Sequence, residues 1–239
     1  MGFFEHLEEL RRRLIWSIAA ISVTFIAAWT FSPTLFAAIQ KPILPYLPKG
    51  TRLAFTTMPE PFILYFRVAL YGGVILASPF LLWQVWLFIS PALYRRERGY
   101  AVPFVIATAV FFLSGCAFGY WVAFPRVCQF LIGMGTKTGF MPVITINEYL
   151  SIFSKTIFGL GLAFELPIFV FFLARFGIVT ERFLLAKFKY AVLLIFIVAA
   201  IITPTPDMMT QCVFAFPMIA LYLIGIAIAW LFKPRAARG

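Results

Sequence analysis

Long runs without charged residues dominate this sequence and limit what it can fold into. Six runs lack Asp, Glu, Lys and Arg apart from a single Glu in the fourth, namely residues 14–40, 68–94, 99–125, 156–174, 190–206 and 208–232. A helix crosses about 30 Å of hydrocarbon with about 20 apolar residues. Hydrophobic residues make up 63% of the 239 residues and charged residues only 12%. A soluble fold is therefore excluded, and the runs predict an all-α integral membrane protein with six spanning helices.

The runs and their flanks predict one membrane domain over residues 1–239. Apolar residues at positions 3, 7, 10 and 14 share one helical face, so residues 1–13 are expected to form an amphipathic helix at the cytoplasmic surface. The fifth apolar stretch ends at a Pro-rich turn over residues 203–207, after about 20 Å of helix, so we expect the last two helices to be short. The predicted spans are residues 14–37, 62–90, 100–124, 149–175, 190–203 and 208–231.

Lys and Arg are unevenly distributed between the two ends of these spans. Thirteen lie at one set of ends and five at the other. Because cytoplasmic loops are enriched in Lys and Arg, the basic side is predicted to be cytoplasmic, with both termini on that side. The net charge of +11 is then explained by topology and by contact with anionic membrane lipids. Nucleic-acid binding is not expected, because the cations are spread over helix ends.

Small residues in the third span indicate how helices pack. The segment at residues 115–119 reads Gly-Cys-Ala-Phe-Gly. Small residues let helix backbones approach closely in a membrane. We interpret this segment as a packing surface, without a role in binding.

Glu165 lies near the midpoint of the fourth run. An acid at the centre of a spanning helix costs roughly 2.5–3.5 kcal/mol, so it suggests a function within the membrane. A structural role, as an acid turned toward a polar concavity, is equally open. Burial is expected to favour the neutral form, which makes Glu165 a candidate for a proton-sensitive step. One alternative function follows: a proton-coupled secondary transporter of a small solute with Glu165 as its relay, although related halves with broken helices are not evident.

The sequence lacks the residues that most enzymes and metal sites require. Residues 133–138 resemble a phosphate-binding loop only superficially, because Thr136 stands where the motif needs Gly before Lys. His6 is the single histidine. A Ser–His dyad within the membrane and a metal site with several histidines are thereby excluded. We expect no enzymatic activity, no cofactor and no metal.

Five segments carry motifs that are specific in combination. They are HLEELRRRL at residues 6–14, SPFLLWQVWLFISPALY at residues 78–94 followed by Glu97, Gly119-Tyr120 before Phe124-Pro125, AFELP at residues 163–167, and Thr203-Pro204 before Asp207 and Gln211. In this order they resemble the TatC family, the core subunit of the twin-arginine protein translocase. The resemblance covers nearly the whole chain.

The resemblance implies a function and a site. Members of the family recognise signal peptides with paired arginines on folded cargo in the bacterial cytoplasmic (inner) membrane. They assemble with TatA- and TatB-like single-helix proteins, and with further copies of themselves, into a translocase driven by the proton-motive force. The resemblance also implies a concave, glove-like arrangement of helices. It assigns Glu9 and Glu97 to signal-peptide binding, and a carboxylate suits this task because it accepts two parallel hydrogen bonds from one guanidinium.

Each of these assignments has a simpler interpretation. Glu9 could pair with Arg13 on the same helix face, and Glu97 could be a solvated residue among the arginines at positions 95, 96 and 98. The resemblance favours the binding role for both.

Polar residues near the last turn are also assigned by the resemblance. Thr203 and Gln211 correspond to positions that dock partner helices, and Glu165 is expected to serve translocation. Asp207 is equally well explained as a helix cap. This sequence departs from the family pattern in two ways: the turn over residues 203–207 is one residue longer, and Leu223 follows Tyr222 where many relatives have an acid.

Overall fold

The structure of the protein, a computed structural model, describes residues 3–48, 53–89, 101–137, 139, 142–175, 179–203 and 207–231. Within these ranges the regular structure is helical, with one isolated bridge between Ala54 and Thr145. The predicted all-α class is confirmed. The described ranges contain ten α-helices, which are α1 Phe3–Thr30, α2 Ser32–Gln40, α3 Glu60–Ile89, α4 Ala101–Phe118, α5 Phe124–Lys137, α6 Ile146–Ala163, α7 Leu166–Arg175, α8 Glu181–Ala186, α9 Phe188–Ile202 and α10 Met208–Leu231.

Five helical segments in the described ranges are long and apolar enough to cross a membrane. They are Phe4–Thr30, Glu60–Phe88, Val105–Lys137, Ile146–Phe171 and Met208–Leu231. The third segment joins α4 to α5 through a π-helical turn, and the fourth joins α6 to α7. The protein is therefore a multi-pass membrane protein. Helix α9 is apolar but has only 15 residues, so the count of six spans, the side of the termini and the glove-like shape stay predictions.

The helix bounds differ from the predicted spans in several places. Helix α1 is unbroken from Phe3 to Thr30, so the amphipathic segment and the first span form one helix. The third segment continues to Lys137, beyond the predicted end at residue 124. Helix α10 has the predicted bounds of residues 208–231, but its 24 residues do not fit the description of the last helix as short. Pro217 lies inside α10 without ending it, since a proline removes only one backbone donor and the apolar run continues beyond it.

The described chain divides into two compact units. The first unit is built from the described parts of Met1–Lys41, Leu53–Val110 and Thr145–Asn147. In this unit α1 packs along α3. A Cβ atom at Gly73 of α3 would stand 3.0 Å from the backbone nitrogen of Phe25, and the Thr24 hydroxyl donates to the Gly73 carbonyl at 2.9 Å. This close approach holds the two helices together along their middle turns.

The second unit is built from the described parts of Pro42–Arg52, Phe111–Ile144 and Glu148–Gly239. Its core contains Val127, Leu160, Ala199 and Phe214, from α5, α6, α9 and α10. Helices α4 and α6 meet at glycines. A Cβ at Gly115 would stand 2.6 Å from the Leu160 carbonyl oxygen. The small residues of 115–119 therefore do form a packing surface.

We predict that Gly115→Ala destabilises the protein, because the new methyl group would overlap a backbone carbonyl of α6. Overpacking of this kind costs about 1–3 kcal/mol, so the midpoint of thermal unfolding in detergent should fall by several degrees. Gly133→Ala in α5 is the matched control, because nothing lies within 4 Å of a Cβ built there. Alanine also favours a helix over glycine by up to about 1 kcal/mol. An equal loss of stability in both variants would contradict the packing assignment.

Candidate functional site

Glu9 forms an ion pair on α1. Its Oε1 lies 3.2 Å from Nη2 of Arg13, one helical turn further along. Nη1 of the same guanidinium donates to Oε1 of Gln84 at 3.3 Å. Gln84 belongs to α3 and is buried, with 6% of its surface exposed. The interpretation of Glu9 as a partner of Arg13 is thus correct as a description of this state, and Gln84 ties the pair to a second helix.

The ion pair is largely buried but only partly satisfied. The Glu9 side chain is 11% exposed and the Arg13 side chain 19%. Glu9 Oε2 and Arg13 Nε are both buried and have no hydrogen-bond partner among the described residues. Native structures contain few such groups, and each calls for an explanation. Glu9 therefore retains acceptor capacity that no described residue uses.

The surroundings of Glu9 hold its helix in place and carry further charge. The His6 ring stacks on the Phe88 ring with centroids 4.4 Å apart, which packs the start of α1 against the end of α3. An open groove along α1 is bordered by three carboxylates and two guanidinium groups, those of Glu5, Glu8, Glu9, Arg11 and Arg12. The local field thus contains both signs of charge.

Glu97, the second predicted signal-peptide ligand, lies outside the described residues. The structure brings Glu9 together with Arg13 and Gln84. The assignment of Glu9 and Glu97 to binding of one signal peptide stays a prediction.

Glu165 lies at the break between α6 and α7. Pro167 follows it, and because proline has no N–H, the Ala163 carbonyl cannot receive its usual helical hydrogen bond. The Glu165 N–H donates to the Leu162 carbonyl at 3.1 Å, three residues back in the chain where an α-helix would use the fourth. Its Oε1 is buried and has no hydrogen-bond partner among the described residues. Its neighbours in the chain, Phe164 and Leu166, pack against the hydrophobic core of the second unit.

The turn between α9 and α10 gathers the remaining predicted residues. Asp207 caps α10, because its Oδ1 accepts from the Thr210 N–H at 2.7 Å. The Thr203 hydroxyl donates to the Ala200 carbonyl at 3.3 Å. The Gln211 side-chain amide donates to the Phe196 carbonyl at 2.8 Å, which links α10 to α9. These hydrogen bonds lie at the end of α9, at the start of α10 and between the two helices. The nearby Thr210 hydroxyl is buried without a partner among the described residues.

One residue of the Glu9 site was not singled out from the sequence. Gln84 is the single amide side chain in the charge-free run of residues 68–94, and that isolated polarity was the available signal. As for metals, the described residues contain no group of three His, Cys, Asp or Glu side chains that could bind an ion.

Comparisons with known proteins agree with one another. The family model described as "Sec-independent protein translocase protein (TatC)" matches residues 5–217. The Sec-independent protein translocase protein TatC of Koribacter versatilis is 46% identical over 241 residues, covering 100% of this chain and 88% of the relative. That of Desulforapulum autotrophicum is 42% identical, covering 96% and 84%. A crystal structure named as the twin-arginine translocase receptor TatC matches with a TM-score of 0.82 and 35% identity, covering 95% of this chain and 99% of its own. This chain belongs to the TatC family.

Proposed function

We propose that this chain is the twin-arginine signal-peptide receptor and core subunit of a translocase that exports folded proteins, driven by the proton-motive force. Relatives named as Sec-independent translocase proteins and a structure named as a twin-arginine translocase receptor support this function. The family consists of protein-translocase components, so the chain is a non-enzymatic, multi-pass protein of the bacterial inner membrane. These relatives give no support to the alternative of a solute transporter.

The observation that carries the proposal is the contact between the Glu9 carboxylate and the Arg13 guanidinium. This carboxylate already accepts a guanidinium N–H within the protein, at 3.2 Å. A guanidinium presents two parallel donors to a carboxylate, whereas an ammonium group is a point charge that cannot reproduce this geometry. Glu9 also has a second oxygen without a partner. A receptor that distinguishes arginine from lysine requires this chemistry.

Glu97 is proposed as the second carboxylate. Two guanidinium groups on one signal peptide are best neutralised by two acids, because each fork uses both oxygens of its carboxylate. Support for Glu97 comes from the motif that it shares with the family.

We further propose that TatA- and TatB-like single-helix proteins dock beside the turn between α9 and α10. Helix α9 has 15 residues, about 22 Å of helix against about 30 Å of hydrocarbon. The turn is therefore expected to lie at a depth where polar groups are costly without partners. Thr203 and Gln211 each donate within the fold, but the Gln211 amide also carries an acceptor oxygen that a partner helix could use. Association of several copies of the chain belongs to the same proposal.

Glu165 is proposed to serve translocation as a neutral acid within the membrane. Burial of one carboxyl oxygen without a partner supports this role, because such a group costs free energy that the fold alone does not recover. A neutral carboxyl group can both donate and accept a hydrogen bond.

We predict that Glu9→Gln weakens binding of a labelled twin-arginine signal peptide by at least about tenfold, because a hydrogen bond to a charged group contributes about 1.5–3 kcal/mol. The measurement is fluorescence anisotropy with the purified full-length protein. A peptide with Lys-Lys in place of Arg-Arg should bind the wild type more weakly by a similar factor.

Glu8→Gln is the matched control for this prediction, because Glu8 is the adjacent acid and its side chain is exposed. It removes the same charge, and it should weaken the binding of the Arg-Arg and Lys-Lys peptides equally and only slightly. Binding of the Arg-Arg peptide that is unaffected by Glu9→Gln, or equal to that of the Lys-Lys peptide, would refute the role of Glu9.

A second prediction concerns Glu165. If this residue acts as a neutral acid, Glu165→Gln should support export of a folded reporter protein into membrane vesicles at a rate within about twofold of wild type, since Gln is also polar and uncharged. Glu165→Lys should block export, because it introduces a cation at the same depth. Loss of export in Glu165→Gln with unchanged thermal stability would instead indicate a titrating group.

A further inference from the structure

We infer that Arg13 is an internal competitor for Glu9, and that signal-peptide binding exchanges one guanidinium for another while Gln84 retains the displaced Arg13. This inference rests on the proposed function and adds a residue that determines affinity and specificity at the same site. It begins from three atoms: Nη2 of Arg13 lies 3.2 Å from Oε1 of Glu9, and Nη1 lies 3.3 Å from Oε1 of Gln84.

The contact between Arg13 and Glu9 is the weaker of the two geometries open to this pair. A forked arrangement would use two nitrogens and both carboxylate oxygens. In the structure one nitrogen meets one oxygen, and both Glu9 Oε2 and Arg13 Nε are buried without hydrogen bonds among the described residues. The i,i+4 spacing on α1 brings the two groups together, but the second nitrogen of the fork is directed to Gln84. An external guanidinium is free of this constraint.

Binding of an external guanidinium requires Glu9 to leave its present partner. Because Oε2 is buried, a peptide cannot reach both oxygens while the carboxylate keeps this position. Turning the carboxylate outward breaks the 3.2 Å contact with Arg13. The exchange therefore replaces a single contact with a fork, at the cost of leaving Arg13 without its carboxylate.

Gln84 lowers that cost. It lies on α3, 71 positions along the chain from Arg13, and is buried, so its side-chain oxygen stays in place when Glu9 turns away. A buried cation left with no acceptor would be strongly unfavourable. With Gln84 present, Arg13 keeps one hydrogen bond throughout the exchange.

The exchange explains why lysine fails as a ligand. An ammonium group would replace one point contact with another and gain nothing to offset the displacement of Arg13. A lysine-bearing peptide therefore does not occupy Glu9 while Arg13 holds it. Arginine does, because its fork adds a second charge-assisted hydrogen bond.

The test measures binding of Arg-Arg and Lys-Lys signal peptides to the full-length protein in nanodiscs. Arg13→Gln should raise affinity for the Arg-Arg peptide at least about threefold, the scale of a partly exposed ion pair. It should also allow the Lys-Lys peptide to bind through Glu9. Any increase in affinity for the Lys-Lys peptide should therefore disappear in the double variant Glu9→Gln/Arg13→Gln. Arg13→Lys, which keeps the charge without the fork, should fall between wild type and Arg13→Gln.

Two further variants separate exchange from simpler effects. Arg12→Gln removes the same charge from an exposed position of α1. It should raise the affinity for both peptides equally, and binding of the Lys-Lys peptide should not become dependent on Glu9. Gln84→Leu should lower the affinity for the Arg-Arg peptide in the wild-type background, but it should have no effect in the Arg13→Gln background. Thermal unfolding of every variant shows whether it folds.

The outcomes distinguish the two levels of the proposal. If the Arg-Arg peptide binds wild type and Glu9→Gln equally, the proposed function of Glu9 fails. If Glu9→Gln weakens binding but Arg13→Gln weakens it too, in a protein of normal stability, Arg13 orients Glu9 and the exchange is refuted while the receptor function stands.

Discussion

The absence of water from the bilayer core is the constraint on which this structure depends. Helices satisfy their own backbone there, so the remaining polar groups must find partners in other helices. Thr24 reaches the Gly73 carbonyl and Gln211 reaches the Phe196 carbonyl in this way. Buried groups without partners in the described chain include atoms of Glu9, Arg13 and Glu165. The Thr156 and Thr210 hydroxyls are also buried without a partner in the described chain, so an unpaired polar atom does not by itself mark a binding site.

Much of the fold could be predicted because it follows from hydropathy alone. Apolar runs of about 20 residues have few alternatives to a spanning helix, and small residues such as Gly115 indicate close packing. The error at α10 had a local cause. Helix α9 ends at Ile202 after 15 residues, but α10 follows its own apolar run for 24 residues. Turn chemistry determines where a helix begins, and the apolar run beyond it determines how far the helix extends.

The candidate site was less predictable because its partners come from distant parts of the chain. The spacing of Glu9 and Arg13 makes their contact visible in the sequence, since residues four apart share a helix face. Gln84 becomes their neighbour only when α1 packs along α3, and that register depends on contacts such as Gly73 against Phe25. The unused atoms of Glu9 and Arg13 could not be foreseen for the same reason. Which lone pairs are filled is a property of tertiary geometry.

Two acids in this chain illustrate two ways of keeping a carboxyl group in or near a membrane. Glu9 has a cation beside it, so its charge is compensated. Oε1 of Glu165 is buried without a hydrogen-bond partner among the described residues, and the flanking Phe164 and Leu166 pack in an apolar core. A neutral form avoids the cost of a buried charge there. A paired acid can recognise guanidinium, because its partner can be replaced by a better one. A neutral acid suits contacts with uncharged polar groups, such as those of a partner helix, and the different surroundings of the two residues therefore fit the different roles proposed for them.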